Sequence, residues 1–101
     1  MKRLKQRAAT ASIRLMLVMQ YAYRDFAGPQ PPPAVAVLNC AHDFGFDTID
    51  TWTPLAAIQA SDPAHLRTLF MFHQTIATHM SALGNRVVAT AIAERLASPR
   101  N

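Results

Sequence analysis

The run Ile13-Arg14-Leu15-Met16-Leu17-Val18-Met19 constrains this chain more than any other segment. Arg14 is its only polar residue. A surface helix of a small protein carries one apolar stripe. A helix apolar almost all the way round needs cover on several sides, from its own chain or from another.

The residues around the run follow a helical pattern. Leu4, Ala8, Ala11, Leu15, Val18 and Ala22 alternate spacings of four and three, the seam of a helical pair. Gly28 and Pro29 stop the pattern, which predicts a long helix over residues 3–27. Residues 28–33 then read as a stiff proline-rich spacer. Ala34–Phe44 fits a helix that ends at Gly45, with a short strand over Ala34–Asn39 as the alternative. Gly45–Thr53 reads as a loop. Across the stretch Phe44–Trp52, Phe44, Phe46, Ile49 and Trp52 either fold inward against the helices or form an aromatic patch rimmed by Asp43, Asp47 and Asp50.

Thr53-Pro54 and Asp62-Pro63 are helix starts, a capping side chain followed by a first-turn proline. The first predicts a short helix over Pro54–Ala60. The second predicts a long helix over residues 63–83, with Leu66, Phe70, His73, Ala77 and Met80 on one face. Asn85 caps a last helix, Arg86–Ala97, which Ser98-Pro99 ends. The expected fold is therefore all-α, a single helical domain over residues 1–101 with two long helices and several shorter ones. So few elements cannot enclose both long helices, which favours a helical homodimer.

Half of the 101 residues are apolar and 16% are charged. That excludes a disordered chain and favours burial between subunits. Charge is segregated. Residues 1–24 carry Lys2, Arg3, Lys5, Arg7, Arg14 and Arg24 without an acid; residues 25–62 carry five aspartates without a Lys or Arg. The basic arm either pairs with the acidic middle of the same or a neighbouring chain, or meets an external polyanion. Cys40 is alone and reads as a small buried hydrophobe of a reducing compartment. The basic start resembles a signal peptide, but Arg14 interrupts its apolar run and Tyr21–Phe26 is no small-residue cleavage site. No stretch reaches the roughly 20 apolar residues that span a membrane. The expected location is cytoplasmic, and the Ala- and Arg-rich composition suggests a bacterial source.

No reaction is specified. His42, His65, His73 and His79 lack the three- or four-residue spacing of a metal pair on one helix. Neither the serines nor Cys40 sit in a nucleophile turn, and Gly28, Gly45 and Gly84 are isolated rather than parts of a phosphate loop. The expected protein is not an enzyme and takes no cofactor or metal. It is a small regulatory protein that self-associates and engages or masks a partner protein's association surface, in the manner of an inhibitor. Leu15, Met16, Met19, Tyr23 and Trp52 are the partner-binding candidates. The alternative is a nucleic-acid-binding regulator that uses Lys2, Arg3, Lys5, Arg7 and Arg86, with Thr75–Leu96 as a C-terminal helical hairpin.

Overall fold

A computed structural model describes residues 1–98 of the chain. It contains helices and strands in the order α1 (Lys2–Ala11), β1 (Met16–Met19), a 3₁₀ turn (Tyr23–Ala27), α2 (Pro32–Asp43), β2 (Asp47–Asp50), α3 (Trp52–Ser61), α4 (Pro63–Thr68), β3 (Phe70–His73), β4 (Ile76–Met80) and α5 (Ala82–Ala97). The expectation of an all-α fold is thereby overturned. The chain is mixed α/β, with a parallel pair β1–β2 and an antiparallel pair β3–β4.

The helix expected over 3–27 ends at Ser12. This residue adopts the left-handed conformation, φ 56° and ψ 41°. Its N–H donates to the Ala9 carbonyl, and the Ile13 N–H donates to the Ala8 carbonyl at 2.8 Å. This is a Schellman closure made without glycine, so the sequence carries no marker for it. The apolar run then becomes β1, paired in register Met16↔Asp47 to Met19↔Asp50. A parallel strand covered on both faces reads as a continuous apolar run, and over so few residues periodicity cannot separate it from a buried helix. α2 packs on both strands and α5 packs on β2.

The helix expected over 63–83 keeps only its first six residues. Asp62 caps α4 as its sequence implies, its carboxylate accepting the His65 N–H at 3.2 Å. The chain then turns into the β3–β4 hairpin, with Gln74 at φ 58° in the connection. Phe70 and Phe72 obey period two as well as they obey the helical spacing. Their rings meet Tyr23 edge-on at 5.3 and 5.2 Å, and that contact selects the strand. No helical hairpin exists over Thr75–Leu96, because β4 occupies its first half.

Smaller expectations are corrected in the same way. α2 begins at Pro32, inside the expected spacer. β2 occupies the expected loop. α3 starts at Trp52, two residues before Pro54. Ser81 rather than Asn85 caps α5, its hydroxyl accepting the Gly84 N–H at 3.2 Å. Cys40 is exposed on α2, not buried. The segment that Gly45 closes, at φ 79°, is a helix rather than a strand. α5 ends with Ser98 at its C-cap, while the stop expected at Pro99 lies outside the described residues.

The core lies between the two sheets and the short helices α3 and α4. Tyr21, Phe26, Ala34, Leu55, Leu66, Leu69 and Phe70 are buried together. Phe26 stacks on Trp52 at 4.7 Å, and Tyr21 meets both rings edge-on. Of the aromatic segment 44–52, Phe46 and Ile49 are buried and Trp52 packs against the core, so these anchors fold inward. Among the described residues, no helix is long and apolar enough to cross a membrane.

Candidate interaction surfaces

β2 carries an aspartate at each end, and both are engaged within the fold. At the strand's start, Asp47 receives the Arg14 guanidinium on Oδ2 and Arg95 Nη2 on Oδ1 at 2.8 Å. Its side chain is only 11% exposed, so this ion pair is screened far less than a surface one. It ties Arg14, two residues before β1, and the last turn of α5 to the same strand. At the other end, Asp50 Oδ1 accepts the Tyr21 hydroxyl at 2.7 Å and the Trp52 N–H at 3.0 Å. Gln30 Nε2 donates to Asp50 Oδ2 and to the Tyr21 oxygen, both at 2.8 Å. Burial, then the hydrogen bond to Asp50, push the Tyr21 phenol up from 10.0 to about 12. Beside them, the buried Thr51 donates its hydroxyl to the Met19 carbonyl at 2.8 Å and closes the end of the parallel pair. These groups hold strand ends, turn and helix start in place. Among the described residues, no group of three His, Cys, Asp or Glu side chains could hold a metal ion.

Apolar and basic surface lies away from these groups. Two adjoining hollows, about 380 and 600 Å³, share Ala22, Tyr23 and Ala77. Together they form a groove between the Gln20–Arg24 segment and β4, with Phe70 in its floor and Ile76 at its end. β4 pairs with β3 alone among the described strands, so its other edge meets no strand. Met71 and Ile76 on the hairpin are 54% and 67% exposed. A second groove, about 450 Å³, runs along α5 between Pro54, Leu69, Leu83, Val87 and Ala91, with Arg86 and Glu94 on its rim.

The residues singled out from sequence are distributed as follows. Leu15, Met16, Met19, Tyr23 and Trp52 are all half-buried. Leu15 lines a cleft between α1 and the Phe44–Phe46 turn. Met19, Tyr23 and Trp52 pack against the core, and Tyr23 also borders the β4 groove. They do not form one surface with Leu15. Lys2, Arg3, Lys5 and Arg7 are exposed together on α1, whereas Arg86 lies apart on α5. Sequence reasoning missed Met71, Ile76 and Leu83 as a contact surface, because it read residues 63–83 as one long helix. Their signal was present in the alternation Phe70-Met71-Phe72-His73, which puts Met71 opposite the two phenylalanines.

Comparison with known protein families, characterised proteins and solved structures returns no match.

Proposed function

We propose that this chain is a protein-binding module that associates with itself and offers the groove along β4 to a partner. One observation carries the reading, the amount of surface left uncovered. A folded monomer of 11.1 kDa exposes about 5,700 Å² by size scaling. This chain exposes 6974 Å². The excess, roughly 1,300 Å², is more than one side of a standard protein interface, about 800 Å². The radius of gyration points the same way, 15.3 Å against about 13 Å for a compact chain of this length.

The placement of the uncovered apolar residues supports the hairpin as the contact. A two-stranded hairpin is marginal by itself, and an unpaired strand edge is a template for another chain. Met71 and Ile76 supply apolar area beside the open edge of β4, and Tyr23 and Phe70 supply rings in the adjoining groove. The two carboxylates best placed for chemistry are engaged in the fold, which supports binding over catalysis.

Sedimentation equilibrium from micromolar to millimolar concentration tests this reading. The expected mass is twice 11.1 kDa at the upper end. Replacing both Met71 and Ile76 by Asp should return the chain to a monomer with its helix content intact. A monomer at every concentration overturns the reading.

A further inference from the structure

We infer that the outer face of α1 docks on the phosphodiester backbone of a nucleic acid. This goes beyond protein binding and uses a different part of the molecule.

α1 contains Lys2, Arg3, Lys5 and Arg7 and no acidic residue, and Ala8 is its one buried residue. At 100° per residue, Lys2, Arg3, Gln6, Arg7 and Thr10 fall within about 140° of arc. Arg3, Gln6, Arg7 and Thr10 line one shallow surface hollow of about 310 Å³. Lys5 lies outside this arc and leans toward Gly45.

Four of the five aspartates are turned elsewhere, and the fifth, Asp43, is exposed at the end of α2 with its carboxylate 4.0 Å from His42. Asp47 is held by Arg14 and Arg95, and Asp50 by Tyr21, Gln30 and the Trp52 N–H. Asp25 accepts the Ala22 N–H at 2.9 Å, and Asp62 caps α4. None of the four basic side chains of α1 forms an ion pair with a described residue. Their position does not serve the helix either. Like charges three and four residues apart repel, and cations oppose the macrodipole at a helix N-terminus. A placement that works against the fold, uncompensated from within, fits an external polyanion.

The chemistry of the face selects the kind of polyanion. A guanidinium fork matches paired phosphate oxygens, and the Gln6 amide between Arg3 and Arg7 along the helix suits a contact to a sugar-phosphate chain, while the Thr10 hydroxyl donates to the Gln6 carbonyl at 3.0 Å. A membrane-surface helix needs a broad apolar face opposite its cations. The face of α1 opposite the arc turns inward, with Ala8 lining the cleft beside Phe44 and Phe46. Only Leu4 and Ile13 stand exposed as large aliphatic side chains at this end, apart from Met1.

Fluorescence anisotropy with a labelled random-sequence DNA duplex, read across salt concentration, tests the proposal. Contacts from Lys2, Arg3 and Arg7 predict a log–log salt slope of about −3, a loss near 50-fold between about 50 and 200 mM salt. The Lys2→Gln, Arg3→Gln, Arg7→Gln variant should bind at least ten-fold more weakly, with the slope close to zero. Arg3→Lys with Arg7→Lys should keep the slope. The salt slope of the unaltered chain decides the matter even where a variant fails to fold. No binding at low salt, equal binding by the triple variant, or capture by phosphatidylserine vesicles without capture by DNA overturns the proposal. Self-association is read as mass, so the two readings fail separately.

Discussion

The parallel pair β1–β2 and the antiparallel pair β3–β4 are both two-stranded sheets with strands of four or five residues. Neither is stable alone at that size. The parallel pair is secured by polar links of long sequence separation: Arg14 and Arg95 on Asp47 at one end, Tyr21 and Gln30 on Asp50 at the other. The hairpin is secured from one side only. Phe70 and Phe72 rest on Tyr23, Arg67 lies 4.2 Å over the Phe72 ring, and Ser81 donates to the Thr68 carbonyl at 2.7 Å. Met71 and Ile76 meet solvent. Buried polar links specify one register because each leaves an unsatisfied group if the strand slips. An open apolar hairpin leaves its outer surface for something else to cover.

The sharpest way to break the hairpin's single-sided support is Gly84→Ala. A Cβ at Gly84 would lie 2.1 Å from the Leu69 carbonyl oxygen, a backbone atom that cannot swing away. The expected loss is about 3 kcal/mol, seen in urea unfolding, the upper end of the usual overpacking cost because the obstructing atom is backbone. Unchanged stability would show that α5 is not clamped to the α4–β3 junction.

For the parallel pair, high pH is the corresponding lever. The Tyr21 phenol is pushed up to about 12 from 10.0. Below pH 10 both folded and unfolded chains keep the proton. Between pH 10 and 12 the unfolded chain releases it first, so stability falls as pH rises, by roughly 2–3 kcal/mol in all. Tyr21→Phe should remove this decline while lowering neutral-pH stability by about 1 kcal/mol through two lost hydrogen bonds. A decline of equal size in the Phe variant would assign it to other groups.

Asp47→Asn sharpens the comparison further. It leaves Arg14 and Arg95 without their carboxylate, at a site partly open to water, and should cost about 2 kcal/mol. Arg95→Met in the same background should recover part of that, and a double-mutant cycle measures the coupling. The smallest effect on stability belongs to the hairpin's outer face. Met71→Ser and Ile76→Ser should each change folding stability by less than about 0.5 kcal/mol while weakening self-association. Losses as large as those at Gly84 would place these side chains in the subunit's own structure rather than in an interface.

Local chemistry written in the sequence determined the punctuation of this fold. Asp62-Pro63 starts α4, Gly45 closes α2, and prolines 31–33 introduce it. It also determined the charge segregation, with the cations of α1 gathered over Lys2–Arg7 and no acid in the helix. Of the surface proposed for binding, the sequence marked the cations of α1 and Tyr23, but not Met71, Ile76 or the open edge of β4. Tertiary structure alone decided whether Ile13–Met19 and Phe70–Met80 would be helix or strand. Both stretches satisfy either periodicity, and their own residues hold no preference strong enough to choose. The choice fell to partners distant in the chain, Asp47–Asp50 for β1 and Tyr23 for β3, because a strand is stabilised only by what lies beside it, whereas a helix closes its hydrogen bonds within itself.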